Sequence, residues 1–556
     1  MSRLDAASLL APSPPRAKPH PRGRFLCLLS AALAVVGGCL ALILFLALHP
    51  APNPNPAPNY GALFLSLGSN DTAASHLREL TLHPHVAGTK ANSLTARYVR
   101  DALSALSFPV HITPYSVLLS YPVHRSLTLS APGRGAATSF ALKQETYRDD
   151  PYAAAAAETI PTFYAYAASG SVSAEAVYAN YGREEDFAYL ASRGVDVAGK
   201  VALARYGRIH CEDIAHNARA AGAAAAVVYP DPLEYGGVPG EAAFPDSRWL
   251  PPSGVQVGSL FRGVGDPTTP MWASSDGCER LSVEEAMGTD DMPLIPALPV
   301  SARNAMEIHG AVGGAVAPAG WQGREDGPVY RLGPGPAVLN LTYLGNDTMA
   351  TIENVFAIIE GAEEPDRYVI LGNHRDAWTF GASDPNSGTA AMIELKGFRC
   401  SKSKDGDLEE PLSSVAGMRK RSTEWVEENL EMLSSGAVAY LNIDVSVVGP
   451  GFLPSTTPQL DELLQEITKL DQDIRFTTPY MMTIILVEAI SAPPLGNKDV
   501  HLAAASIWGM MALRLADDEI IPFNYMSYAV ELEVRQVLCP LNATASVGQL
   551  SNSDTD

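Results

Sequence analysis

The longest feature of the hydrophobic pattern is an unbroken apolar run at residues 25–48, FLCLLSAALAVVGGCLALILFLAL, with no charged position. As a helix it is long enough to cross a hydrocarbon layer of ~30 Å, and it exceeds the ~7 to 15 apolar residues of a cleaved signal peptide, so it predicts an uncleaved anchor. Leu94, Tyr98, Ala102 and Leu106 then recur four apart and predict an amphipathic helix over 92–106 with Asn92 as N-cap. His83 and His85 precede it in HPHVAGT, a loop where both are expected as turn and surface residues because no carboxylate lies at ligand spacing. Alternating runs such as SLTLSA predict strands within 110–145.

Residues 150–325 have a different texture, rich in Ala, Gly and Pro. A strand at 201–205, a helix closed by Gly222 and a strand at 224–229 read there as a β-α-β unit. Its turns carry neither GxGxxG nor GxxxxGK[ST], so a binding or lid module is expected rather than a nucleotide site. From 326 strands and helices alternate again, as an α/β core resumed after an inserted domain. The apolar runs at 368–371 and 437–443 read as buried strands of that core, with a helix from near Thr389.

Length and charge narrow the class. At roughly 150 residues per domain, 556 residues suggest about three or four domains. Sixty-one acidic against 39 basic residues, without a basic stripe, exclude a nucleic-acid partner. Six cysteines are too few for a disulfide scaffold: Cys27 and Cys39 lie in the apolar run, and Cys211, Cys278, Cys400 and Cys539 show no CxxC spacing. Arg3, Arg16, Lys18, Arg22 and Arg24 precede the run against Asp5 alone, whereas the next basic residue after it is Arg78. This bias predicts a single-pass type II membrane protein of the secretory pathway, in the endoplasmic reticulum or plasma membrane, with its ectodomain luminal or extracellular. The spacer that follows, PAPNPNPAPN, is polyproline-like, and Asn-x-Ser/Thr tripeptides at Asn70, Asn340, Asn346 and Asn542 are candidate glycosylation sites.

The candidate chemistry is concentrated in residues 367–395, RYVILGNHRDAWTFGASDPNSGTAAMIEL. His374 and Asp376 emerge where the first core strand stops, Asp384 precedes Pro385-Asn386-Ser387-Gly388, and Asp444 ends the second strand. Ligand groups collect beyond the carboxyl ends of strands in open α/β sheets, and imidazole with carboxylates is a donor set for zinc. Asp384 could bridge two ions and Asp376 could orient His374. Helix capping and salt bridging are the alternative uses of strand-end aspartates, and the residues alone leave both open.

The string GNHRDAW…GASDPNSGTA, followed by STEWVEEN and AYLNID, resembles the glutamate carboxypeptidase II family of membrane-anchored dizinc peptidases, which includes the transferrin receptors, and is most similar to the plant members of the altered-meristem-program type. The resemblance implies a zinc-aminopeptidase-like mixed α/β sheet with helices on both faces. It divides the chain into a cytosolic tail (1–24), signal anchor (25–48), spacer (49–59), first peptidase part (60–149), protease-associated domain (150–325), second, incomplete peptidase part (326–490) and a remnant of a helical dimerisation domain (491–556). It implies that His374, Asp384 and Asp444 hold one zinc, that Asp384 is shared with a second, that Asp376 orients His374, and that Thr269, Glu424 and Glu427 form a calcium-like site, with Trp272 in place of the family's tyrosine. A small peptide substrate and a homodimer are implied as partners.

This chain departs from that pattern in three places. The family's general-base Glu and its neighbouring zinc-ligand Glu end a strand, whereas Glu409-Glu410 lies in a polar stretch next to Pro411 with no apolar run before it, so no strand is expected to hold the pair at a metal. The segment that should carry the last histidine ligand is absent, which leaves His501 at a seam as a bystander. Cys211 and Trp249 occupy the positions of an Arg and an Asn that hold substrate carboxylates. The expected function is therefore a zinc metallocarboxypeptidase with an incomplete site, or a non-catalytic ectodomain of the same fold.

Overall fold

The computed structural model describes residues 60–133, 135–147, 151–361, 363–394, 410–416, 421–446, 456–470 and 498–538. The 25–48 run with its basic flank, the spacer, Cys400, Glu409, the 471–497 seam, Cys539 and Asn542 lie outside them. Among the described residues no helix is long and apolar enough to cross a membrane.

One mixed sheet organises the described chain. Its main strands are β1 (Val110–Ser130), β2 (Gly170–Tyr178), β3 (Val201–Tyr206), β4 (Ala225–Pro230), β5 (Ala297–Pro299), β6 (Val338–Gly361), β7 (Tyr368–Gly372), β8 (Glu410–Ala416) and β9 (Ala437–Asn442). Their order is β9-β7-β8-β6-β2-β3-β4-β5, with β1 antiparallel along β6. The 24-residue β6 joins the two parts of the fold: residues 338–343 pair with β2, and residues 355–361 pair with β8. A strand that long is needed because β2, β3, β4 and β5 form a parallel set of their own, beyond the reach of the strands that carry the candidate site.

The amphipathic helix is α1, Lys90–Ala105, and its cap and buried face differ from the expectation. Thr89 caps it, its hydroxyl accepting from the Asn92 N–H, and the face turned inward is Asn92, Ala96, Val99 and Leu103. Leu94, which began the expected stripe, is 51% exposed. The true stripe opens on a polar and a small residue, so a count of large apolar positions finds a neighbouring row. The β-α-β unit does form, from β3, α2 (Cys211–Ala220) and β4, with Gly222 at φ +85° just past the helix.

Strand β7 is parallel to both β8 and β9 and is covered on both faces, which accounts for its unbroken apolar run. Residues of α3 (Asn386–Ile393), α4 (Arg421–Glu428), α5 (Leu430–Gly436) and α6 (Lys498–Asp517) pack around it, and α7 (Tyr525–Leu538) follows in the chain. Val369 and Leu371 pack with Leu463, Trp508, Met511 and Leu515, whereas Ile370 points the other way, toward Phe356, Trp425 and Leu433. Each such buried apolar side chain contributes roughly 1.5–3 kcal/mol. The indole N–H of Trp508 donates to the Leu441 carbonyl at 3.0 Å. Helix α6, within the segment expected as a remnant dimerisation domain, lays its apolar face on β7 and β9 under the site.

The interval between Lys396 and Arg421 also differs, since residues 410–416 form β8 where no strand was expected. The apolar positions of EPLSSVA follow the glutamate pair rather than precede it. Leu412 lies opposite Val369 and Val415 opposite Gly372, so Glu410 stands at the start of β8. His374 follows the finish of the parallel strand β7, and roughly 3.3 Å per residue puts the two ends of such a pair far apart. The strand exists, but it carries Glu410 to the end away from His374.

Candidate metal centre

Beyond β7 the chain turns at Asn373, whose buried amide donates to the Pro385 carbonyl at 2.8 Å and to the Thr389 hydroxyl at 2.9 Å. That hydroxyl donates onward to the His374 carbonyl at 2.9 Å. The first turn of α3 is thus tied to the end of β7. It is tied to the end of β9 as well: Ser446 N–H donates to the Ser387 hydroxyl at 3.0 Å, and Gly388 lies so near Ile443 that a Cβ there would sit 2.2 Å from its carbonyl oxygen.

These ties bring His374, Asp384 and Asp444 together. His374 Nε2 lies 2.9 Å from Asp384 Oδ1 and 2.7 Å from Asp444 Oδ1, and the three candidate ligand atoms fall within 4.8 Å of one another. Among the described residues this is the one group of His, Cys, Asp and Glu side chains close enough to share an ion. His374 is nearly buried while the two aspartates are more than half exposed, so the cluster opens outward. Burial opposes a charge on the imidazole, but Asp376, Asp384 and Asp444 outweigh it and hold the His374 pKa up to about 11. Nitrogen plus two carboxylate oxygens suits zinc.

Asp376 is buried behind His374, with Oδ1 3.7 Å from Nδ1, beyond hydrogen-bonding distance. The partner of Nδ1 is the Asp376 backbone carbonyl, at 3.0 Å. The imidazole is therefore oriented with Nδ1 donating inward and Nε2 facing the carboxylates.

Glu427 lies within electrostatic reach of Glu424, which is held by the loop that carries Thr269. The fully buried Glu424 accepts from the Asp266 and Ser274 N–H groups, each at 2.7 Å, which wraps the 266–274 loop around it. Thr269 Oγ1, Ser274 Oγ and Glu427 Oε2 are buried without hydrogen-bond partners. Oxygen donors left unsatisfied beside carboxylates fit a hard cation such as calcium. Trp272 takes no part, its N–H donating to the Glu279 carbonyl at 2.8 Å. Asp266 is engaged by Arg280 at 2.7 Å. Burial, with Glu424 and Asp266 nearby, raises the Glu427 pKa to about 7. A carboxyl raised in the folded state contributes stability below about pH 4.5 that is lost as pH rises through 7. Without calcium, Glu427→Gln is therefore expected to be more stable than wild type at pH 8 by about 1 kcal/mol after allowance for solvent screening, with the gap closed at pH 4.5. Calcium should raise the melting temperature of wild type alone; equal responses in thermal denaturation would refute the assignment.

One correction concerns a histidine. His85 was expected at the surface and is fully buried, because the 374–386 loop folds over it. His83 is exposed and pairs with Glu158. His501 lies in the first turn of α6. The positions that hold the site but were not singled out in the sequence are Asn373, Gly388, Thr389, Asp266 and Ser274. Only Gly388, inside Asn-Ser-Gly at a helix start, carried a local signal for a close backbone approach.

The PA domain family matches residues 161–260. The chain is 46% identical over 539 residues to the probable glutamate carboxypeptidase LAMP1 of Arabidopsis thaliana, a match covering 85% of this chain and 76% of that one. The chain belongs to the glutamate carboxypeptidase family. The probable glutamate carboxypeptidase VP8 of Zea mays is 37% identical over 557 residues, covering 89% of this chain and 73% of that one. Among solved structures, the aminopeptidase from Aneurinibacillus sp. strain AM-1 matches with a TM-score of 0.47 at 16% identity, over 83% of this chain and 98% of that one.

In this glutamate carboxypeptidase family member, the two positions expected at the substrate carboxylates carry no cation. Cys211 is buried at the start of α2 with its sulfur 3.5 Å from the Ser259 carbonyl, and burial pushes its thiol pKa up. Trp249 lies under the Arg248 guanidinium, 4.6 Å from the ring centre.

Proposed function

We propose that this chain is a membrane-anchored zinc metallopeptidase of the glutamate carboxypeptidase type, shaped to remove C-terminal residues from small peptides but short of its catalytic base. The observation that carries this reading is the convergence of His374, Asp384 and Asp444. Zinc held there would act as a Lewis acid toward a peptide carbonyl and toward water. His374 would present Nε2 with its tautomer fixed by the Asp376 carbonyl, and the exposed Asp384 is the residue available to a second ion. Glu410, at the far end of β8, supports the second reading, a non-catalytic receptor-like or scaffold ectodomain.

The two readings separate by experiment. Purified protein is expected to hold at most one zinc by elemental analysis, weakly, and to release no glutamate from peptides ending in Glu. Two tightly held zinc ions, with turnover abolished by His374→Ala, would establish the enzyme instead.

The anchor at 25–48, a calcium ion at Thr269, Glu424 and Glu427, and a homodimer complete the proposal. The exposed Tyr525, Met526, Val530 and Leu532 of α7 support the dimer. For glycosylation, the sequons divide by environment. Asn340 is held between strands, its amide donating to Thr128 Oγ1 at 3.0 Å and its oxygen accepting from Ser173 Oγ at 2.6 Å. Asn346 is exposed beside the irregularity where β1 shifts register between Pro122 and His124. On secretory expression, Asn346→Gln is expected to remove one glycosidase-sensitive step in gel mobility and Asn340→Gln none; the reverse pattern would exclude this assignment.

A further inference from the structure

His85 lies outside every motif that carries the proposed chemistry, yet it is fully buried and touches both arms of the loop between His374 and α3. On the arm leaving His374, its N–H donates to the Thr379 carbonyl at 3.2 Å and its carbonyl accepts from the Ala377 N–H at 3.3 Å. On the arm entering α3, its Nε2 lies 3.1 Å from the Asn386 side-chain nitrogen. Its Nδ1 lies 2.7 Å from the His83 carbonyl, and the Asn92 amide donates to the His85 carbonyl at 3.3 Å.

The partners fix the proton. A carbonyl oxygen can only accept, so Nδ1 carries the hydrogen and donates to His83. Nε2 is then the lone-pair nitrogen of a neutral ring and accepts from the Asn386 amide, which sets that amide's orientation too. Turning the amide round would require hydrogens on both ring nitrogens, a buried cation. Burial opposes that charge and, with Arg375, outweighs the His83 carbonyl and Asp376 that favour it, so the His85 pKa is lowered. Arg375 is itself spent on Thr95 Oγ1 at 3.1 Å and the Glu353 carbonyl at 2.9 Å.

We propose that His85 is a positioning residue of the metal centre: its neutral imidazole and backbone clamp Ala377 and Thr379 to Asn386, and so fix the separation of His374 and Asp384. The clamp connects the loop before α1 to the ligand loop, two segments about 300 residues apart in the chain that no strand pairing joins directly. It deepens the metal-centre reading, and one arm of its test does not depend on zinc.

The test compares wild type, His85→Ala, Asn386→Ala and His85→Gln, the last keeping an acceptor where Nε2 stood. Zinc affinity is measured by competition with a chromophoric chelator, and ligand geometry by the visible absorption of the cobalt(II) protein. Both alanine variants are expected to bind zinc about 10- to 100-fold more weakly with altered cobalt bands, and His85→Gln to recover most of the loss. In metal-free protein, exchange of the Ala377 amide is expected to speed up by roughly tenfold in the alanine variants, while a core amide such as Ala202 keeps its protection. Wild-type exchange at Ala377 in Asn386→Ala, or equal loss at Ala202, overturns the clamp even if His85→Ala fails to fold. Intact local exchange effects in a wild-type protein that binds no zinc would instead sink the metal reading and leave the clamp standing.

Discussion

Gly388→Ala is expected to destabilise the protein by about 2–4 kcal/mol and to weaken zinc binding by on the order of 10- to 100-fold. A Cβ at this position would sit 2.2 Å from the Ile443 carbonyl oxygen and 2.7 Å from Asn373 Nδ2. Neither neighbour is the loose end of a side chain. Ile443 immediately precedes Asp444, and Asn373 immediately precedes His374, so relief of the clash must push apart the strand ends that carry two of the three ligands. Gly320→Ala is the control, because that position has open space around it and no left-handed φ; it should change stability by less than about 0.5 kcal/mol. Urea denaturation and chelator competition read both effects. Wild-type behaviour of Gly388→Ala would mean that α3 is not wedged between β7 and β9 as described.

Zinc binding at neutral pH is expected to release about one proton per ion, with apparent affinity rising roughly tenfold per pH unit between pH 7 and 9. The metal-free cluster holds its imidazole protonated up to about pH 11, and zinc needs the lone pair on the same Nε2. Calorimetric titration in buffers of different ionisation enthalpy gives the proton count directly. The same shift sets the stability of the metal-free protein. The folded pKa lies above the ordinary imidazole value of 6.5, so the contribution of His374 is complete below pH 6.5 and is lost as pH rises through about 11. His374→Ala is expected to abolish zinc binding and to flatten this part of the stability profile. A proton count near zero, or a profile unchanged by the substitution, would count against a protonated His374 bridging two carboxylates.

The legibility of the fold followed the range of the forces involved. The β-α-β unit at 201–230 could be read because strand, helix and turn each leave a local mark, ending with Gly222 in the left-handed region. The cap of α1 lies three residues before the expected one and its buried face two to three residues from the expected row, since burial there depends on what the helix meets, and it presents Asn92 and Ala96 first. Strand β8 was missed for the same reason: Pro411, Ser413 and Ser414 do not read as a strand until β6 and β7 stand on either side of them.

By itself, the sequence determined the chemical identity of the site. His374 and Asp444 follow strand ends and Asp384 precedes a helix start, and element termini and motif residues are local properties of the chain. How those residues are held together, and that Glu410 begins β8 at the end away from His374, follow from the closed sheet. The wedge at Gly388, the clamp at His85 and the placement of Glu410 at the far end of β8 each depend on contacts between segments distant in sequence. Hydrogen bonds and steric exclusion of that kind exist only once the sheet has closed.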